Sequence, residues 1–237
     1  MRLDRRSPAR ELAATAAATL RLGDWRLGSP PWPGFPAPFA GQRRRELTLE
    51  ALVAHYRPDA IVETGTFLGL TTRRLADWGV PVYSIELQPQ WFHLARVHTR
   101  RQRAVTLLCG DSVAGLRWVR DRVRPRRPLA YLDAHWEARL PLREELETLL
   151  GAWPDAVVVI DDCRVPHDPG YGYDVYGGVA IEAERLALPP SVRVAYPAGP
   201  ASEEGGARRG TLYAAWGPDA SAGLDAVREL GLVTDGH

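Results

Sequence analysis

The sequence contains no lysine, because all 30 of its basic residues are arginine. A lysine side chain is therefore excluded as a catalytic base. Against 29 acidic residues the net charge is +1, which gives no overall attraction to nucleic acid. Two arginine-rich runs, at 42–46 and 122–128, are interpreted as solvated faces rather than phosphate-binding patches. We therefore expect no nucleic-acid partner.

Cysteine is scarce, and long apolar runs are missing. The two cysteines, Cys109 and Cys163, lie far apart without metal-ligand spacing, which favours a reducing compartment. No apolar run approaches the length of a membrane span. The basic, alanine-rich N-terminus is interrupted by threonine and arginine, which predicts an amphipathic helix rather than a signal peptide. These features predict a cytoplasmic protein without a membrane partner.

Short apolar segments alternate with helical patterns over most of the 237 residues. This pattern predicts an α/β fold with a doubly wound, mostly parallel sheet of seven strands. The last two strands have no helix between them and should form a terminal antiparallel hairpin. The predicted strands are 60–63, 81–86, 105–110, 128–133, 156–161, 191–196 and 211–216. The predicted helices are 9–22, 42–56, 68–78, 89–102, 112–122, 140–151 and 178–187.

The first part of the chain has a different composition. Five prolines in residues 28–41 prevent regular structure there, while Trp32, Phe35 and Phe39 remain available for packing. We expect residues 1–57 to form a helical and proline-rich cap and residues 58–237 to form the main domain.

Three successive predicted strands end in acidic residues, where open α/β sheets bind ligands. The first ends in "ETGTFLG", whose glycines permit a tight turn and close approach of a ligand. Glu86 ends the second strand, where an acid can hold a ribose diol. Asp111, in "GDS" after the third strand, can accept from an exocyclic amine. The alternative is that each acid only caps a helix or ends a strand.

The segments "ETGTFLGLTT", "SIE" and "GDS" resemble the nucleoside-binding motifs of class I S-adenosylmethionine-dependent methyltransferases. The E-x-G-x-x-x-G-x-[ST] form is similar to that of the small-molecule O-methyltransferases, and the resemblance covers residues 58–216. It implies a Rossmann-like methyltransferase fold with S-adenosylmethionine as cofactor. The cofactor-binding residues that it implies are Glu63, Gly65, Thr66, Gly69, Glu86, Asp111, Ser112 and Asp133.

Carboxylates also follow the fourth and fifth predicted strands, Asp133 in "LDAHW" and Asp161 with Asp162 in "VIDDC". If the two strands are neighbours, about 4.8 Å apart, these side chains converge. Three such carboxylates need a cation, a shared proton or arginine partners. Oxygen ligands favour Mg²⁺, Mn²⁺ or Ca²⁺. The alternative is that Asp161 and Asp162 cap a turn and pair with arginines.

This layout resembles the metal-dependent O-methyltransferases of the catechol, caffeoyl-CoA and macrolide-sugar types. In them an Asp after the fourth strand and an Asp-Asp or Asp-Asn after the fifth bind Mg²⁺. "LDAHW" is similar to the L-D-H-W of the catechol enzymes, with one residue inserted. The resemblance implies Mg²⁺ or Mn²⁺ on Asp133, Asp161 and Asp162.

A divalent cation lowers the pKa of a bound hydroxyl, and a nearby base can then take its proton. Asp133 and His135 are the predicted catalytic residues. The predicted substrate pocket consists of Trp136, His167, Tyr171, Tyr173 and Tyr176.

The resulting hypothesis is a metal-dependent O-methyltransferase that acts on a sugar or phenolic hydroxyl of a natural product. One alternative is a metal-free N- or O-methyltransferase with His135 as base. Others are a non-catalytic nucleoside-binding subunit and an RNA-associated protein that uses the arginine runs. The oligomeric state stays open, with a homodimer as the option that the resemblance implies.

Overall fold

The computed structural model describes residues 37–135 and 140–235. The predicted helix 9–22 and the pocket residue Trp136 lie outside this part of the chain. The described chain begins with a short 3-10 turn, Pro38–Gly41, and helix α1, Arg43–Tyr56, which matches the predicted helix 42–56. Helix α1 ends where Arg57 takes a left-handed backbone conformation, with φ of 52°.

A central sheet follows, in which five parallel strands alternate with four helices as the sequence predicts. The strands are β1 Ala60–Thr64, β2 Val82–Glu86, β3 Val105–Cys109, β4 Pro128–Leu132 and β5 Ala156–Asp161. The helices are α2 Leu70–Ala76, α3 Pro89–Thr99, α4 Ser112–Arg122 and α5 Leu142–Ala152. The later elements are β6 Val175–Tyr176, β7 Val179–Ala180, β8 Arg193–Pro197, β9 Thr211–Trp216, α6 Pro218–Glu229 and β10 Val233–Thr234.

The strand order is β10-β8-β9-β5-β4-β1-β2-β3. Strands β1 and β4 are neighbours at the centre, so the direction of winding reverses between them, where such sheets bind ligands. Strands β4 and β5 are parallel neighbours, as the carboxylate argument requires. Strands β8 and β9 pair antiparallel, which confirms the terminal hairpin. The two faces of the sheet pack into separate apolar clusters, covered by helices on both sides.

Two details differ from the prediction. The sheet has eight strands rather than seven, because the chain after α6 returns and pairs β10 with the edge strand β8. The predicted helix 178–187 is absent: this segment contains β7 and a 3-10 turn, Ala183–Arg185. Gly177 and Gly178 both have positive φ, which closes a tight hairpin between β6 and β7 instead of starting a helix.

Helix α1 packs against α6 and the sheet. The boundary of a separate cap at residue 57 stays a prediction. Among the described residues, none of the helices is long and apolar enough to cross a membrane. Cys109 and Cys163 are both free thiols.

Candidate functional site

Glu63 lies in the interior at the end of β1. Its Oε2 accepts hydrogen bonds of 2.5 Å from Thr72 Oγ1 and from Ser84 Oγ. Burial raises the pKa of Glu63 from 4.5 to about 7, although the two hydroxyl donors work in the opposite direction. An acid held this way can keep its proton near neutral pH.

This pKa predicts a pH effect that Glu63→Gln should remove. Between pH 4.5 and about 7 the folded protein keeps a proton that the unfolded chain has released. The contribution of Glu63 to stability is therefore highest below the unfolded pKa and falls as the pH rises to about 7. Urea unfolding of both proteins at about pH 5 and about pH 8 measures the difference. An equal pH dependence in Glu63→Gln would contradict the prediction.

Glu86, at the end of β2, has both carboxylate oxygens directed at backbone donors. Oε2 accepts from the N–H of Phe67 and Oε1 from that of Gln88, each at 2.8 Å. Burial raises its pKa, against these backbone hydrogen bonds. The carboxylate thus ties the loop after β1 to the end of β2.

The loop after β1 depends on two glycines with positive φ. Gly65 has φ of 82°, and a Cβ there would lie 2.1 Å from the carbonyl oxygen of Asp133. Gly69 has φ of 71°, and its Cβ would lie 3.1 Å from the Cα of Ala95. Thr66, between them, is buried and shares a 2.5 Å hydrogen bond with Ser84 Oγ. The turn at Gly65 therefore packs against the backbone of Asp133, whose side chain is one of the predicted carboxylate ligands.

Asp111, the third of the strand-end acids, caps a helix, as the alternative interpretation of these acids expected. Asp111 is the N-cap of α4, where its Oδ1 accepts from the N–H of Ala114 at 3.0 Å. Ser112 begins the helix and is buried. Both residues lie at the carboxyl end of β3.

The structure brings Asp133 and Asp162 together with His135. One ligand atom from each of these three residues lies within 4.8 Å of the other two. His135 is buried, with Nε2 at 3.3 Å from Asp162 Oδ2 and 3.8 Å from Asp133 Oδ1. The pKa of Asp133 is raised well above its usual value by burial and by the charges of Asp161 and Asp162. The cluster therefore favours a bound proton or a cation over a free carboxylate.

The backbone turn at Asp162 and the contacts of its carboxylate with Arg209 and His135 fix its orientation. Its φ of 54° is left-handed, so the backbone turns sharply after β5. Its Oδ1 pairs with Nε of Arg209, whose Nη2 also pairs with Asp174. Burial opposes ionisation, but the hydrogen bonds from His135 and Arg209 prevail and lower the pKa of Asp162 to about 2. Asp162 therefore presents an ionised Oδ2 to the cluster.

Asp161 takes a different place from the one predicted. Its Oδ2 accepts from Arg45 Nη1 at 2.5 Å and from the Tyr131 hydroxyl at 2.7 Å. Its Oδ1 accepts from the N–H of Asp162 at 2.8 Å. Arg45 and Asp161 thus form a buried ion pair beside the cluster, and the expected arginine alternative holds for this aspartate.

Sequence reasoning missed Arg45, Arg209 and Tyr131. The run 42–46 was interpreted as solvated, yet Arg45 is buried and its Nη2 also donates to the carbonyl of Arg209 at 2.6 Å. A signal existed, because Arg45, Leu49 and Leu52 recur at helical spacing on the buried face of α1. Arg209 lies in a loop, where no periodicity points to it.

The predicted pocket residues lie in different parts of the structure rather than around one pocket. Tyr176 is half-buried, and its ring lies perpendicular to that of His135 at 6.3 Å. Tyr171 packs into the core, and its hydroxyl donates a hydrogen bond to the carbonyl of Gly199. It is therefore a core residue rather than the pocket wall that was predicted. Tyr173 is exposed beneath Arg164, and His167 is exposed beside the Pro197 carbonyl. Of these four, only Tyr176 contacts the cluster.

Solved structures share this arrangement of strands and helices. The chain aligns with an O-methyltransferase from Bacillus cereus in complex with S-adenosylhomocysteine over 91% of its own length and 93% of that chain, at 18% identity and a TM-score of 0.56. It aligns with the O-methyltransferase TomG from Streptomyces achromogenes, involved in tomaymycin synthesis, at 18% identity, 91% and 92% coverage and a TM-score of 0.54. A methyltransferase from Geobacter sulfurreducens gives 14% identity, 90% coverage of both chains and a TM-score of 0.52.

The chain has the fold of these methyltransferases. No protein-family model matches the sequence, and no curated protein sequence matches it. The Rossmann-like methyltransferase fold implied by the three nucleoside motifs is thereby confirmed.

Proposed function

We propose that this protein is an S-adenosylmethionine-dependent O-methyltransferase that acts on a hydroxyl of a small molecule. The observation that carries the proposal is the contact between the Gly65 turn and the Asp133 backbone. Because of this contact, the loop after β1, to which we assign cofactor binding, lies directly beside the carboxylate cluster. A methyl donor and an activated hydroxyl must meet in line, and neighbouring sites at one sheet edge permit this.

In this proposal the chain holds the cofactor through the ends of its first three strands. Glu86 accepts from the ribose hydroxyls, and Glu63 lies beneath the loop that receives the cationic methionine part. Gly65 and Gly69 allow the backbone to approach, while Asp111 and Ser112 flank the adenine. The reversal of winding between β1 and β4 and the fold shared with the Bacillus cereus O-methyltransferase, which was solved in complex with S-adenosylhomocysteine, support this assignment.

The donor set also fits a divalent cation. Besides the two carboxylates of the cluster, those of Asp161 and Asp174 lie beside it; Arg45 pairs with Asp161, and Arg209 pairs with Asp162 and Asp174. Burial and the charges of Asp161 and Asp162 raise the pKa of Asp133. Against the effect of burial, the hydrogen bond to Asp162 raises the pKa of His135. A cation held by Asp133 and Asp162 would replace these bound protons. When bound, such a cation would lower the pKa of the acceptor hydroxyl.

The acceptor would lie beside Tyr176, next to the cluster. Tyr176 offers a ring face against which a sugar or phenolic ring can pack. In this proposal the hydroxyl proton passes to the Asp133 oxygen that does not bind the cation. A natural-product acceptor is the substrate class we propose.

The experiment is a calorimetric titration of S-adenosylhomocysteine, followed by Mg²⁺ and Mn²⁺ into the saturated protein. We expect one cofactor site and one metal site, and we expect Asp162→Asn to lose the metal site while it keeps the cofactor. The matched control is Asp121→Asn, an exposed aspartate on α4, which should keep both.

Absence of cofactor binding would contradict the proposal. Cofactor binding without metal uptake would instead favour the metal-free alternative with His135 as base. The hydrogen bond between His135 and Asp162 favours that second candidate, because an aspartate can orient a catalytic imidazole. Methyl transfer to a panel of phenols and sugars, followed by mass spectrometry, then tests the acceptor class.

A further inference from the structure

We propose that His135 is a metal ligand together with Asp133 and Asp162, and that this mixed nitrogen–oxygen set selects a transition-metal ion such as Mn²⁺ or Co²⁺ over Mg²⁺. The inference rests on the metal site of the proposed function. It changes the role of His135, since a histidine whose Nε2 binds a metal cannot be the base.

The first support is the direction of the His135 ring. Its Nε2 faces Asp162 Oδ2 and Asp133 Oδ1 at 3.3 Å and 3.8 Å. Ligand atoms that each lie about 2.1 Å from one ion are separated by roughly these distances. The side chain is almost wholly buried, so the nitrogen is held at the cluster rather than turned to solvent.

The second support is the position of Asp161, which does not offer a third oxygen to the cluster. Arg45 Nη1 and the Tyr131 hydroxyl donate to its Oδ2, and the Asp162 N–H donates to its Oδ1. The three groups thus hold the carboxylate in the buried ion pair. Of the three aspartates predicted as ligands, two remain in the cluster, and His135 supplies the third donor atom.

The third support is Arg209, which restricts Asp162. Its Nε pairs with Asp162 Oδ1, so Oδ2 alone is directed at His135 and the cluster. Asp162 can therefore contribute one oxygen rather than a bidentate carboxylate. Mg²⁺ requires a nearly octahedral shell of oxygens, whereas imidazole suits first-row transition metals. The imidazole nitrogen of His135, rather than the number of carboxylate oxygens, therefore favours the transition metals over Mg²⁺.

The experiment uses the full chain saturated with S-adenosylhomocysteine and titrated separately with Mn²⁺, Co²⁺ and Mg²⁺. We expect Mn²⁺ and Co²⁺ to bind on the order of tenfold or more tightly than Mg²⁺. The electron spin echo of bound Mn²⁺ should show modulation from one directly coordinated ¹⁴N. This readout reports the ligand itself, independently of activity and of any variant.

Two variants sharpen the test. His135→Asp replaces the nitrogen donor by oxygen and should abolish the ¹⁴N modulation and shift the preference towards Mg²⁺. His55→Ala, at an exposed histidine on α1, is the control and should leave both unchanged.

Bound Mn²⁺ without ¹⁴N modulation in the wild type would overturn the inference, as would equal affinity for Mg²⁺ and Mn²⁺. If cofactor binding persists in either case, the proposed methyltransferase function stands. Failure to bind S-adenosylhomocysteine would overturn that function, while ¹⁴N-coordinated Mn²⁺ in the same sample would still establish the metal site. Uptake of none of the three ions would overturn the inference and the metal dependence together.

Discussion

Replacement of Arg45 by methionine is expected to lower the free energy of unfolding by about 3–5 kcal/mol, the cost of removing one partner of a buried ion pair. The guanidinium pairs with Asp161 at 2.5 Å and also donates to the carbonyl of Arg209 at 2.6 Å. Without it, the carboxylate of Asp161 would remain buried next to Asp162 and would lack its compensating charge. Urea unfolding followed by circular dichroism measures the loss.

The control is Arg44→Met, on the same helix and one residue away. The Arg44 side chain is partly exposed and pairs with Glu203, which is itself exposed. An exposed pair of this kind contributes about 0–1 kcal/mol, so the control should lose little. Equal losses of unfolding free energy in the two variants would show that the buried ion pair stabilises the fold no more than the exposed pair does. Combination of Arg45→Met with Asp161→Asn should recover part of the loss, because the unpaired carboxylate charge is then gone.

The acids of the site were predictable because they lie at strand ends. Glu63, Glu86 and Asp133 directly follow short apolar runs, and the alternation of strands and helices puts those ends on one edge. Local sequence therefore carries the approximate location of the site. The same reasoning gave the parallel pairing of β4 with β5 and the antiparallel terminal strands.

The partners of those acids were not predictable in the same way. Arg45 precedes Asp161 by 116 residues, and Arg209 follows Asp162 by 47. In a chain with 30 basic residues, all arginine, no local pattern shows which of them pair with the aspartates. The exchange of Asp161 for His135 in the cluster depends on these long-range pairs, and so it appears only in three dimensions.

Gly65→Ala is expected to disable the cofactor site. Alanine at this position would need a φ of 82° and would place its Cβ 2.1 Å from the carbonyl oxygen of Asp133. Because that oxygen belongs to the backbone after β4, the turn must move away and withdraw the loop from Glu86. We expect the affinity for S-adenosylhomocysteine, measured by calorimetry, to fall on the order of tenfold or more.

Gly79→Ala is the control that separates the cost of a left-handed backbone from the cost of the steric clash at Gly65. Gly79 has a similar φ of 77°, but a Cβ there would meet nothing within 4 Å. Its substitution should cost about 1–2 kcal/mol of stability from the left-handed conformation alone and leave cofactor affinity unchanged. Gly65→Ala should cost about 1–3 kcal/mol more, since it adds an overpacked contact to the same strain. If both variants lost equal stability and both bound the cofactor normally, the contact between the Gly65 turn and Asp133 would have no functional weight, and the proposed adjacency of cofactor and carboxylate cluster would lose its main support.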